Sequence, residues 1–278
     1  MTPRELIRDT AESFRRAGVP DPEYDSALLL SSLTGLPPLS LRLDTDTLLD
    51  DVTLEGFQSL CLRRVQREPL QYILRETVFC GYAFRVDPRV LIPRPETELL
   101  CEWALEKLSE RKQSKVLDLC CGSGCIGVTL KLRSPFASVL ASDLSGDALD
   151  VAKLNAARLS ADVSFVRSDL FAEFPKETFD LIVSNPPYIP SSECRRLQPE
   201  VMAEPQTALD GGEDGLSFYR RICREAPLRL CHGGFLLMEL GDGESATVSA
   251  LMRESGFTSI EVRNDYHSLP RMIGGAIT

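Results

Sequence analysis

The sequence predicts an α/β protein, a parallel sheet covered by helices on both faces, preceded by a small helical domain and a β-hairpin connector. Three observations predict it: helical and extended segments alternate from residue 96 onward, a buried strand at 115–119 runs into a glycine turn and a helix, and residues 1–72 carry helix signals alone. Thr2-Pro3-Arg4-Glu5 forms a capping box with proline at the first helical position, and Ile7, Ala11, Phe14 and Ala17 share one face until Gly18 stops the helix. Asp21-Pro22 repeats the start signal. Tyr24, Ala27, Leu28 and Leu30 then predict a second helix ending near Gly35-Leu36-Pro37-Pro38, and a third spans 53–67, closed by Pro69. Short extended runs at 78–80 and 82–86, split by Gly81, form the hairpin, which divides the chain into 1–72, a 73–92 linker and 93–278. Beyond it the pattern predicts helices at 96–110, 125–132, 146–159, 216–230 and 245–255, strands at 115–119, 138–142, 163–166, 179–183 and 235–240, and extended runs at 257–262 and 271–277.

With 278 residues, 43% hydrophobic and 26% charged, the chain can bury the core of one large or two modest domains. No segment reaches the roughly 18 consecutive apolar residues of a membrane span, and the polar opening Met1-Thr2-Pro3-Arg4-Glu5 does not read as a secretion signal, so the expectation is cytoplasmic with no membrane partner. Nine cysteines lack the even count of a disulfide framework, and Cys120, Cys121 and Cys125 lack the paired spacing of a zinc site; they are expected to be buried apolar residues with no metal. The net charge of −10 opposes direct binding of duplex nucleic acid and favours a basic protein partner. The basic clusters Arg63, Arg64, Arg67 and Arg195, Arg196 admit two readings, a local basic patch on an acidic whole or a solvated helix or loop face.

Asn185-Pro186-Pro187-Tyr188 follows the apolar run 179–183 directly. The two prolines fix φ and lack N–H groups, which holds a rigid loop with its carbonyls free to accept. Asn185 adds a side-chain oxygen, Pro186 a backbone carbonyl and Tyr188 an aromatic face, so the loop suits a planar NH2-bearing group. Elsewhere such a tetrapeptide is an ordinary proline turn. Here it ends a parallel strand, and ligands of such sheets bind beyond the carboxyl ends, where strand order reverses.

The segment 116–124 is a buried strand entering a glycine turn, with Cys120, Cys121, Gly122, Ser123 and Gly124 placed to approach a ligand with backbone N–H groups. Gly122-Ser123-Gly124-Cys125-Ile126-Gly127 matches G-x-G-x-x-G, which admits a nicotinamide dinucleotide. Asp118 just before the turn would oppose a pyrophosphate and suits instead a ligand bearing an ammonium group, such as S-adenosylmethionine. Asp143, ending the second strand, can accept from both hydroxyls of a ribose in either case, and Asp169 and Leu170 after the third can meet an adenine amine and face.

Together these residues resemble the HemK family of protein-(glutamine-N5) methyltransferases, in the branch acting on peptide chain release factors. Glu68-Pro69-Leu70-Gln71-Tyr72-Ile73, Leu91-Ile92-Pro93-Arg94-Pro95-Glu96-Thr97-Glu98, the Asp118 to Gly124 loop, Ser184 to Ile189, and Glu204-Pro205 followed by Ala208-Leu209-Asp210-Gly211-Gly212-Glu213-Asp214-Gly215 carry the resemblance over nearly the whole chain. It implies a Rossmann-like class I methyltransferase sheet, S-adenosylmethionine contacted by the loop 120–124, Asp143 and Leu170, and a glutamine held by Asn185, Pro186, Pro187 and Tyr188; Asp118, Asp169 and Asn185 complete the expected cofactor site and Arg94 the expected substrate site. Asn185, Pro186 and Tyr188 are the catalytic residues it implies. The implied substrate is the Gly-Gly-Gln glutamine of release factors, docked partly by the helical domain of a monomeric enzyme. Two departures stand out: Cys120 occupies a position where the family carries glycine, and residues 265–271 follow its C-terminal pattern loosely.

Other functions compete. Methylation of a ribosomal-protein glutamine or of adenine or cytosine amines uses a similar loop, and the acidic balance opposes the nucleic-acid version. An oxidoreductase leaves Asn185 to Tyr188 unexplained, and intact Asn185, Asp143 and Gly122 oppose a catalytically silent adaptor.

Overall fold

The computed structural model describes residues 1–44, 46–109, 113–174 and 176–278. They form two compact units, Met1–Glu76 with Gln198–Ala203, and Thr77–Leu197 with Glu204–Thr278.

The first unit begins with helices α1 (Pro3–Arg16), α2 (Pro22–Thr34), α3 (Pro38–Leu43), α4 (Asp51–Val65) and α5 (Leu70–Leu74). The capping box of α1 forms in both directions: Glu5 N–H donates to Thr2 Oγ1 at 3.3 Å, and Thr2 N–H donates to Glu5 Oε2 at 3.0 Å. Phe14, Leu29, Leu30, Leu41 and Phe57 bury a common core. Two short helices, α3 and α5, stand where the sequence pattern showed only proline turns; Pro38 starts α3 as its first helical residue and Pro69 caps α5.

After the hairpin β1 (Glu76–Phe79) and β2 (Tyr82–Arg85), of which all but Glu76 belongs to the second unit, that unit runs α6 (Pro95–Ser109), β3 (Ser114–Leu119), α7 (Cys125–Arg133), β4 (Ala137–Asp143), α8 (Gly146–Arg158), β5 (Val163–Arg167) and β6 (Phe179–Ser184). Glu110, the expected last residue of α6, lies outside the described residues. A single turn, α9 (Pro199–Met202), belongs to the first unit. Next come α10 (Ser217–Glu225), β7 (Leu230–Glu239), α11 (Ser245–Glu254), β8 (Thr258–Asn264) and β9 (Pro270–Ala276). The expected helix 216–230 is shorter because Pro227 has no N–H to continue it, and the strand expected from 235 starts at Leu230.

The expected α/β sheet is present, seven strands in the order β5-β4-β3-β6-β7-β9-β8, with β9 antiparallel to β7 and β8 and the others parallel. Alternate side chains divide between two faces. Val116, Val139, Leu181 and Leu237 pack with Leu100, Trp103 and Val128 of α6 and α7; Leu117, Leu119, Ile182 and Met238 pack with Tyr219, Ile222, Val248 and Met252 of α10 and α11. The chain order turns outward in opposite directions from β3 and β6, so the carboxyl ends of β3, β4, β6 and β7 surround a crevice. No helix of the described residues is long and apolar enough to cross a membrane.

The arginines in and just after α4 correct one expectation. Arg64 is not solvated but 3% exposed, donating to Asp25 at 2.7 Å, Glu200 at 2.8 Å and the Glu68 carbonyl at 3.1 Å. Arg63 pairs with Glu68, and Arg67 pairs with Glu200 at 2.6 Å, so the cluster closes on acids instead of presenting a basic patch. Burial pushes the Asp25 carboxyl up even beside its arginine, so removing the arginine strands an acid away from water. Arg64→Ala should cost about 3–5 kcal/mol of the helical unit's stability, and Arg67→Ala, at a partly exposed pair, about 1 kcal/mol; denaturant melts followed by circular dichroism measure both.

Candidate active site

The crevice is built from three strand ends. After β3 the chain enters a loop in which Cys120, Gly122 and Gly124 all have positive φ, +58°, +53° and +78°. A left-handed cysteine is strained where glycine is not, so the backbone at Cys120 is one that favours glycine. Each glycine of the loop has its own reason. A Cβ at Gly122 would meet nothing within 4 Å, one at Gly124 would sit 3.0 Å from Ala152 Cβ of α8, and one at Gly127 would sit 2.9 Å from Asp118 Oδ2. Only the first of these faces the cleft; the others allow close packing.

Asp143, at the end of β4, accepts from Gly122 N–H through Oδ2 and from Ser145 N–H through Oδ1, both at 2.9 Å. Burial pushes its carboxyl up, and the accepted amide N–H groups hold it down in part. With Cys120, Gly122, Leu144, Asn185, Pro187 and Phe218 it lines one cleft, closed on the other side by Val90, Leu91, Pro205 and Ala208. That far wall is pinned by Glu204, which accepts from Ile92 N–H at 2.9 Å and Arg94 Nη2 at 2.5 Å.

Asn185-Pro186-Pro187-Tyr188 leaves β6 and is held at both ends by one buried acid. Asn185 Nδ2 donates to Thr97 Oγ1 at 3.2 Å, Thr97 and Glu239 Oε2 are 2.6 Å apart, and Tyr188 OH donates to Glu239 Oε1 at 3.2 Å. Glu239, 1% exposed at the end of β7, is pushed up to about 7 by burial, against the pull of its Thr97 and Tyr188 bonds and of the Arg271 charge. Burial and the neighbouring Glu239 raise the Tyr188 phenol, keeping it a neutral donor. The glycine-rich stretch 210–215 backs the loop: a Cβ at Gly211 would lie 2.7 Å from Tyr188 Cα, and one at Gly215 would overlap the Tyr188 carbonyl. Ile189 and Asp210 form a parallel bridge, and Gly211 N–H donates to the Ile189 carbonyl at 2.8 Å.

The expected site residues do not all converge. Cys120, Gly122, Asp143, Asn185 and Pro187 line the cleft. Cys121 and Ser123 are buried beneath the loop, Gly124 packs on α8, Asp169 pairs with Arg221 at 2.9 Å, and Leu170 is buried at a φ of +50°. Arg94 faces Glu204 rather than the cleft. Asp118 lies beneath the loop: the pleat of β3 turns it toward α7, where Oδ2 accepts from Gly127 N–H at 2.8 Å, and complete burial pushes its carboxyl up to about 8. Thr97, Glu204 and Glu239 were missed. The signal for Glu239 was a lone acid ending the apolar run Phe235-Leu236-Leu237-Met238. Among the described residues no group of three or more His, Cys, Asp or Glu side chains is placed to hold a metal ion.

This sheet, with its cleft at the strand reversal, defines a methyltransferase: residues 97–214 match the methyltransferase small domain. Solved structures share the fold, among them the hMettl16 catalytic domain in complex with MAT2A 3'UTR hairpin 6 (TM-score 0.57, 16% identity, 82% of this chain and 83% of that one) and a methyltransferase from Pyrococcus furiosus (TM-score 0.53, 16% identity, 79% and 96%). Residues 5–74 match the PrmC N-terminal domain. Release factor glutamine methyltransferases of Geobacter sulfurreducens and Chlorobaculum tepidum are 41% and 43% identical, over 99% and 96% of this chain and 97% and 94% of theirs. The chain belongs to the release factor glutamine methyltransferase family, as its motifs suggested.

Asp118 gives a measurable consequence. Its carboxyl titrates near 8 in the fold and returns toward 3.8 when the chain unfolds, so between those values the folded state holds the extra proton and stability falls as pH rises. Asp118→Asn removes that dependence while keeping an acceptor for Gly127 N–H. Melting temperatures measured from pH 4 to pH 9 should favour the variant progressively over the wild type up to about pH 8 and by a constant margin above it.

Proposed function

We propose that this chain transfers a methyl group from S-adenosylmethionine to the side-chain amide nitrogen of the glutamine in the Gly-Gly-Gln motif of peptide chain release factors. The observation that carries the reading is the Asn185 to Tyr188 loop held rigid on the rim of a cleft that also contains Asp143 and the open face of Gly122. The cleft residues fit the cofactor. Asp143 keeps lone pairs for a ribose diol beyond the two amides that it accepts, Gly122 leaves room for close backbone approach, and Leu144 and Phe218 give apolar walls for a flat ring. Bound S-adenosylmethionine supplies an electrophilic sulfonium methyl group.

The remaining chemistry is the chain's own. An amide nitrogen is a weak nucleophile because its lone pair is delocalised, so orientation matters more than basicity. Asn185 Oδ1 and the Pro186 carbonyl accept the two N–H groups of the target amide, and the Tyr188 ring, fixed through its hydroxyl, flanks the amide plane. A protonated N-methyl amide is strongly acidic and loses its proton without a dedicated base. The helical unit provides a second contact with the folded substrate, through exposed apolar side chains such as Leu39, Leu43, Leu48 and Val52. Such an enzyme works where translation ends, in the cytoplasm.

Incubation with labelled S-adenosylmethionine and intact release factors, followed by mass-spectrometric localisation, tests the reading; a methyl on any residue but that glutamine rejects it. Asn185→Ala should lower kcat by about 10²–10³-fold with little change in cofactor Kd, whereas Asp143→Ala should weaken cofactor binding about tenfold to a hundredfold by calorimetry. Leu43→Glu combined with Val52→Glu should raise KM for intact release factor and leave a short Gly-Gly-Gln peptide unaffected; equal effects on both substrates would remove the docking role.

A further inference from the structure

We propose that Thr97 and Glu239 are positioning residues that decide which end of the Asn185 carboxamide meets the substrate, a proposal that rests on the reading of Asn185 as the holder of the target amide. The two ends of a carboxamide are nearly identical in size and opposite in hydrogen bonding, so shape alone does not orient the side chain. The choice is decisive for the reaction. The incoming glutamine presents N–H donors, and an Asn185 turned to offer its own NH2 would set donors against donors.

The observed chain of bonds removes the ambiguity. Ionised, the state that prevails above the value near 7 to which burial pushes it, Glu239 only accepts, so Thr97 Oγ1, 2.6 Å from Glu239 Oε2, spends its single hydrogen on that carboxylate. Toward Asn185 the hydroxyl then offers lone pairs alone. Asn185 must answer with Nδ2, as it does at 3.2 Å, and its Oδ1 is left for the cleft that Asn185 lines. The other carboxylate oxygen takes the Tyr188 hydroxyl, so one buried acid sets the direction of Asn185 and the tilt of Tyr188 at the two ends of the same loop. Glu239 is itself held in place: Tyr219 OH donates to its carbonyl at 2.9 Å, and Arg271, whose Nη1 donates to the Leu240 carbonyl at 3.1 Å, stands beside it as a countercharge. Neither Thr97 nor Glu239 touches the substrate in this arrangement. Their contribution is the proton order of the chain.

The experiment compares wild type, Thr97→Val and Thr97→Ser with labelled S-adenosylmethionine and intact release factor, measuring kcat, KM, cofactor Kd and melting temperature. Valine keeps the volume and removes the hydroxyl, so kcat should fall about tenfold or more while KM and Kd stay within about twofold. Serine keeps the hydroxyl and should restore kcat to within about threefold of wild type. A Thr97→Val enzyme as fast as wild type overturns the proposal, as does a Thr97→Ser enzyme as slow as Thr97→Val, which would assign the effect to packing of the methyl group. If Thr97→Val fails to fold by its melting curve, Thr97→Ala carries the same comparison, and a slow, folded Thr97→Ser enzyme still overturns the proposal. A wild type that leaves the glutamine unmodified rejects the proposed function and this inference with it; an active wild type with an unimpaired Thr97→Val rejects this inference alone.

Discussion

The carboxylate of Glu239 is the interaction on which the site depends. A fully buried acid is costly unless its oxygens are satisfied, and both are: one faces the Thr97 hydroxyl, the other the Tyr188 phenol. Those partners belong to α6 and to the loop after β6, while Glu239 ends β7. A single side chain thus ties three elements at the carboxyl edge of the sheet. Two prolines stiffen the loop internally, but stiffness does not aim it; the aim comes from the acid.

Around that tie, the sheet topology sets two demands side by side. Reversal of strand order between β3 and β6 brings the glycine loop, Asp143 and Asn185 to one crevice without any of them being adjacent in sequence. Close approach then dictates residue type. Gly124 and Gly127 are small because α8 and Asp118 stand against them, and Gly211 and Gly215 because the Tyr188 backbone does. Of these five glycines Gly122 is the one that looks into open space, where a ligand rather than the protein sets the limit. At Cys120 the chain accepts a left-handed non-glycine residue, at a strain of order 1 kcal/mol, and gains a side chain on the cleft wall.

Much of this was legible in the sequence, for reasons that are physical. Alternating periodicities exposed the helices and the parallel strands, and glycine and proline marked the turns, because those signals are local. The short helices α3 and α5 were hidden since their proline starts resemble turns. The depth of Asp118 was not legible because it depends on the pleat of a strand whose neighbours are remote in sequence, and Asp118 and Leu119 look equally close to the turn until the sheet assigns them to opposite faces. Arg64 was misjudged in the same way: three arginines in five positions resemble a solvated face until Asp25 and Glu200, 39 and 136 residues away, close over one of them. The Thr97 to Glu239 bond joins residues 142 apart, and no local pattern encodes such a pair.

A sheet of this kind does not choose a substrate by itself. The same fold appears in a methyltransferase domain solved with an RNA hairpin, and an acceptor pair for an NH2 group serves a base amine as readily as an amide. Discrimination has to come from what surrounds the clamp. Here the net charge of −10 disfavours a polyanion, and Arg63, Arg64 and Arg67, which could have offset it locally, are paired with Asp25, Glu68 and Glu200. Among the side chains that the helical unit leaves exposed are the apolar Leu39, Leu43, Leu48 and Val52, which on the proposed reading suit contact with another protein. On the proposed reading, the clamp recognises a planar amino group, and the charge and apolar surface of the chain restrict that group to one carried by a protein.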